Sequence, residues 1–161
     1  MACAVVGFGA CHRDSEPAPP PAPVARVVVP MAVKKGPSAA EQTRGMVEAA
    51  SQGKSQLPVQ LKFELAQRPS VGQPLDISVA VLPDIEASGA DIVVTGGEGL
   101  SVAPGGSQFE LGAVEVGGVY RQGIKVSPAA AGVLLLNLTV SLKHDEMTES
   151  RVFSIPLIVE R

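Results

Sequence analysis

The sequence predicts an all-β fold, an antiparallel β-sandwich of about seven strands, preceded by a proline-rich arm and one short helix. Three observations carry this. From Leu57 onward apolar side chains recur at every second position over several short runs. Gly- and Pro-rich stretches punctuate those runs at even spacing. The composition, with 17 Gly, 14 Pro and only 18% charged residues, fits a turn-rich β domain better than a helical bundle.

The strands follow in order. "VQLKFEL" (59–65) sets Val59, Leu61, Phe63 and Leu65 on a dry face against Gln60, Lys62 and Glu64 on a wet one. "QRPSVGQP" (67–74) is turn chemistry, and "LDISVAV" (75–81) repeats the alternation. A third strand is expected at "ADIVVTG" (90–96), with short ones at 100–102 and 108–111 and another over 119–126. The longest run, "GVLLLNLTVSLK" (132–143), puts Leu134, Leu136, Leu138, Val140 and Leu142 on one face. The last, "RVFSIPLIVE" (151–160), turns Phe153, Ile155, Leu157 and Val159 inward, with "HDEMTE" (144–149) as the connecting loop. Whether the last strand is an edge is open at this point.

Ahead of the strands, "SAAEQTRGMVEAASQG" (38–53) reads as the helix. Ser38 and Glu41 have capping-box spacing after Pro37, the alanines favour helix, and Gly53 is a natural stop. Its apolar stripe is narrow, and Gly45 weakens its centre by ~1 kcal/mol relative to Ala.

Seven or eight short strands with Gly/Pro loops make a sandwich. "RPSVGQPLDISVAV" and "GVYRQGIKVSPAAAGVLLLNLTVSL" resemble immunoglobulin-like and fibronectin-type modules of bacterial envelope proteins. The resemblance covers residues 57–161 and implies an immunoglobulin-like sandwich. The buried Trp and Cys pair of antibody domains are missing, which points to the broader superfamily.

The N-terminus admits three readings. "AVVGFGACH" (4–12) runs an apolar stretch into Gly-x-Gly, but His12 stands at the third glycine and prolines replace the helix a dinucleotide site needs. Cys3, Cys11 and His12 have no common zinc-ligand spacing. The third reading is the end of a secretion signal: small Gly9 and Ala10 before Cys11 resemble a bacterial lipobox. That resemblance implies cleavage before Cys11, diacylation of its thiol and acylation of its new amino group. Phe8 stands where leucine is usual, and no Lys or Arg precedes the short apolar run; an earlier start would supply the basic residues. The run falls far short of the ~20 residues a membrane span needs.

"SEPAPPPAPVARVVVP" (15–30) then reads as a stiff spacer; at ~3.1 Å per residue the stretch from Cys11 to Pro30 reaches roughly 60 Å. The expected layout is a leader (1–11), a disordered proline-rich linker (12–37), a helix (38–53) and the sandwich (57–161). The whole chain resembles small Gram-negative lipoproteins carrying such a domain. What this implies is a periplasmic location, a lipid anchor in the outer or inner membrane, and a protein partner in the envelope.

Charge and chemistry narrow the function. Residues 1–56 carry six Lys/Arg against four Asp/Glu, and residues 57–161 carry seven against twelve. An acidic domain with one Tyr and no Trp lacks both the basic stripe and the stacking platform of a nucleic-acid binder. Both cysteines precede residue 12, so the sandwich holds no disulfide and no zinc–thiolate cluster. His144 is its only histidine, "GLSVA" lacks the second glycine of a nucleophile elbow, and no Gly-Lys-Ser/Thr follows "GGEG". Catalysis and a bound cofactor are therefore not expected. "NLT" (137–139) matches a glycosylation acceptor but lies inside a strand. The densest polar cluster is "KHDEMTE" (143–149). There His144, Asp145, Glu146 and Met147 offer an alternative function, a periplasmic metal site at a loop tip, against the plainer reading of a solvated loop. The leading expectation is a non-enzymatic, membrane-tethered module for binding or scaffolding.

Overall fold

Residues 37–161 are those the computed structural model describes, and each long alternating run is a strand there. In chain order the elements are α1 (Ala39–Gln42), β1 (Val47–Glu48), β2 (Ala50–Gln52), β3 (Val59–Leu65), β4 (Leu75–Pro83) and β5 (Ala87–Gly96). They continue with β6 (Leu100–Val102), β7 (Gln108–Val114), β8 (Tyr120–Pro128), β9 (Gly132–His144) and β10 (Met147–Val159). Two five-stranded sheets result, ordered β1-β3-β4-β8-β6 and β2-β10-β9-β5-β7. All strand pairs in them are antiparallel.

The order β3-β4-β8-β6 is that of the A, B, E and D strands of an immunoglobulin sandwich, and β5-β9-β10 that of C, F and G. The expected immunoglobulin-like sandwich is therefore the fold, with β7 added beside β5 and with β1 and β2 as short extra edges.

Alternation becomes core. Leu61, Val79, Ile92, Leu136, Leu138, Val140, Ile155 and Leu157 are fully buried in one cluster fed by both sheets. Phe63 and Leu65 are only half-buried, because β3 reaches the margin of the sandwich there. On the outer face of the β9–β10 pair, Val133 lies opposite Ile158 and Leu135 opposite Pro156. Val133 and Ile158 are 66% and 70% exposed.

Two expectations are corrected. The helix expected over 38–53 is a single turn, α1. Its start is as read: Glu41 N–H donates to Ser38 Oγ, and Ser38 N–H donates to the Glu41 carboxylate at 2.8 Å. It stops because too few apolar residues exist to bury a helical face, and Gly45 turns the chain at φ 87°. The segment beyond it instead supplies backbone partners to two open edges. Val47 and Glu48 pair with Phe63 and Lys62, while Ala50–Gln52 pair with Ser154–Val152. Ala49, 5% exposed, is the buried pivot between the sheets, and its N–H donates to the Leu61 carbonyl at 2.8 Å.

The 144–149 loop shrinks to a two-residue turn. The ladder runs on until His144 pairs with Met147, leaving Asp145 and Glu146 to reverse the chain. Asp145 takes φ 53°, a left-handed conformation that Asp tolerates better than most residues. Toward its other end β10 is an open edge as far as Val159, after which Glu160 donates to the Pro69 carbonyl and accepts from Val71 N–H. β2 covers only Val152–Ser154, and Pro156, which has no N–H to donate, sits beyond that cover.

Candidate functional site

From the last core residue of β9, Leu142, toward the hairpin tip, β9 and β10 keep their alternation while the side chains turn polar or exposed. Leu142, His144, Met147 and Glu149 continue the inward-facing rows, and His144–Met147 and Leu142–Glu149 are directly paired. Leu57, Pro58 and Ile85 of the opposite sheet's loops face them across a cleft of about 250 Å³. Its walls are apolar: Leu57, Pro58, Ile85, Leu142 and Met147. Its rim carries His144, Asp145 and Glu149.

On the other side of the hairpin tip lies a wider, shallower depression of about 530 Å³, reaching Glu86, Ser88 and Glu115. His144 and Asp145 line both hollows, so the tip forms the ridge between them. The residues lining the pair include four carboxylates, Glu86, Glu115, Asp145 and Glu149, and neither lysine nor arginine.

Local contacts set this geometry. Arg151, one inward position along β10 from Glu149, donates through Nη1 to the carbonyls of Leu57 (2.9 Å) and Val59 (3.2 Å) and through Nε to Ser51 Oγ (2.7 Å). Its guanidinium also lies 5.4 Å from the centre of the Phe153 ring. It thereby fixes the Leu57 wall. Ser88 Oγ donates to the Lys143 carbonyl at 3.1 Å and ties β5 to the end of β9. Glu115 N–H donates to the Tyr120 hydroxyl at 2.8 Å, holding the loop beyond β7.

Of the four residues offered as alternative metal ligands, the structure brings His144 and Asp145 together, with Nδ1 3.2 Å from Oδ2. Met147 faces His144 across the ladder, while Glu146 lines neither hollow. Among the described residues no three His, Cys, Asp or Glu side chains gather as a ligand set. A hard cation such as calcium takes six to eight oxygens, a set this tip does not assemble. The exposed His–Asp pair is worth little to stability in water.

Cys11, read as the lipidation site, and the leader lie outside the described residues, as does the linker up to Gly36. Asn137 of the glycosylation match accepts from Ser154 Oγ at 2.6 Å, and Gln52 donates to that same hydroxyl. This is a polar rung on the outer face of β9 and β10. The sequence reading missed Leu57, Ile85, Glu115 and Glu149 as lining residues. Only Glu149 left a signal, since counting back by two from Phe153 through Arg151 reaches it.

No family model matches the sequence, and no curated protein does. Among solved structures, the GAE domain of GGA2p from Saccharomyces cerevisiae is 16% identical over 68% of this chain and 96% of its own, with a TM-score of 0.43. A FixG-related protein from Vibrio parahaemolyticus is 13% identical over 65% of this chain and 98% of its own, with a TM-score of 0.43. The yeast GGA1 GAE domain is 14% identical over 66% of this chain and 96% of its own, at 0.41. The fold assignment rests on the strand order itself.

Proposed function

We propose that this protein is a non-enzymatic binding or scaffolding module of the cell envelope, tethered to a membrane through Cys11, with the hairpin end of its sandwich turned to a protein partner. The observation that carries the reading is the cleft between the β9–β10 overhang and the Leu57 and Ile85 loops. There the buried core residues Leu57 and Leu142 form the floor, half-buried Ile85 and exposed Pro58 stand over them, and Met147, an apolar side chain at an inward position of β10, is 66% exposed. Loops and overhangs at one end of a rigid β-sandwich are where such folds make contacts. The lipobox-like Gly9-Ala10-Cys11 and the prolines after it support the tether, since a stiff spacer lifts a domain off a surface.

Two measurements test it. Fatty-acid labelling of the full chain made in a Gram-negative host is expected to mark the protein and to vanish in Cys11→Ala. An unlabelled, unprocessed chain in the cytosol overturns the tether. A photo-cross-linking group at Met147 is expected to trap one envelope protein that the same group at Gln73, in the turn between β3 and β4, does not trap. Equal yields at both positions overturn the choice of surface.

A further inference from the structure

We infer that the cleft receives one apolar side chain of a partner segment, and that lysine or arginine residues flank that side chain. The inference rests on the binding-module reading and adds the chemistry of the partner. Size argues first: at about 250 Å³ the cleft lies below the ~300–1,000 Å³ of small-molecule sites, which suits an anchoring side chain better than a free ligand. Its walls are apolar, with Leu57 and Leu142 at the base, Ile85 over them and Met147, a residue type that adapts to varied partners, at the lip.

Charge then selects what surrounds the anchor. Asp145 and Glu149 stand on the rim, and the depression beyond the ridge adds Glu86 and Glu115, with neither lysine nor arginine in either lining. An apolar segment with acidic flanks would set like charges together. Basic flanks place a cation beside each wall and are steered in by the acidic field of residues 57–161. The backbone beneath both carboxylates is well defined. Asp145 is fixed by the tight turn, and Glu149 sits on a ladder next to Arg151, which anchors the opposing wall.

The test is a titration of the isotope-labelled full chain, followed by NMR, with three end-blocked pentapeptides: Gly-Lys-Leu-Lys-Gly, Gly-Glu-Leu-Glu-Gly and Gly-Lys-Gly-Lys-Gly. The first is expected to move the signals of Leu57, Ile85, Leu142 and Met147 saturably and to weaken as salt rises. The combined Asp145→Asn and Glu149→Gln variant is expected to bind it roughly fivefold less tightly, the scale of two exposed ion pairs. Asn tolerates the left-handed turn position, so that variant keeps its fold, and an unchanged melting temperature checks this.

Equal binding of the acidic peptide overturns the inference and leaves the binding module standing. Equal binding of the glycine peptide overturns the apolar anchor. No shift at this end with any peptide overturns the inference outright, while cross-linking from Met147 decides the module reading separately.

Discussion

The Nη1 atom of Arg151 lies 2.9 Å from the carbonyl oxygen of Leu57, joining a strand of one sheet to the entry of the other. Arg151 occupies an inward position of β10 where the next sheet edge has run out. An apolar side chain there would meet solvent and offer no donor to the Leu57 and Val59 carbonyls. A guanidinium instead satisfies Leu57 and Val59 at once, keeps a third donor for Ser51, and lays its plane near Phe153. It closes the seam and holds one wall of the cleft.

Arg151→Ala should therefore cost about 2–3 kcal/mol, the scale of charge-assisted hydrogen bonds lost at a part-buried site. Arg151→Lys should recover only part of that, because one ammonium cannot reproduce the fork that reaches two carbonyls and a hydroxyl. Urea denaturation of the three proteins measures the ranking. Faster amide exchange at Val59 in the alanine variant would place the loss at this seam. Equal stability of all three would show that water replaces the guanidinium at no cost.

Neighbouring positions of β10 should respond in opposite ways. Leu157 is fully buried and Ile158, its neighbour, is 70% exposed on the outer face opposite Val133. Leu157→Ala should cost about 2–5 kcal/mol through lost burial and an unfilled cavity. Ile158→Ala should stay within about 0.5 kcal/mol. Thermal melts of the pair check the strand's facing directly, since a register slip of one residue would exchange the two results.

Two glycines of β5 should also separate. A Cβ on Gly96 would stand 2.0 Å from the backbone oxygen of Leu100, where β5 turns into β6, whereas on Gly89 the nearest atom is Lys143 Cβ at 3.8 Å. Gly96→Ala must move backbone and should cost about 3 kcal/mol or more. Gly89→Ala adds an ordinary contact and removes a flexible strand residue, so it should be neutral or gain about 0.5 kcal/mol. Equal melting temperatures for the two variants would contradict the tight β5–β6 turn.

What the sequence revealed and what it hid follow from the range of each interaction. Alternation is local and is rewarded wherever one face is dry, so Leu134 through Leu142 and Phe153 through Val159 declared their faces in advance. The capping box of Ser38 and Glu41 is equally local, and it formed. The end of that helix was not legible, because the competing interaction joins Gln52 to Ser154, 102 positions away. The hairpin tip was hidden for another reason. Beyond the core the inward positions are His144, Met147 and Glu149, so the ladder continues while the apolar signal that reports a ladder has stopped. The cleft inherits both difficulties, since Leu57, Ile85 and Leu142 come from three separate stretches and none looks unlike a core residue.

The cap of α1 gives a titration that checks whether this turn forms in solution. Glu41 is held below its ordinary value of 4.5, first by the backbone N–H of Ser38 and then by the Ser38 hydroxyl, both of which favour the ionised carboxylate. The sign follows from the folded value lying below the unfolded one. Glu41 favours the cap above about pH 4.5, and that support is lost as pH falls through the lower, folded value. The group is fully exposed, so the effect belongs to the turn and leaves global stability untouched. A carboxyl-carbon NMR titration should put the Glu41 midpoint below 4.5 in the native chain. Ser38→Ala removes the hydroxyl but keeps the backbone donor, so its midpoint should rise part of the way back. A native midpoint at the ordinary value would mean that the turn preceding β1 is unformed in solution. The strands at both sheet edges would then begin without it.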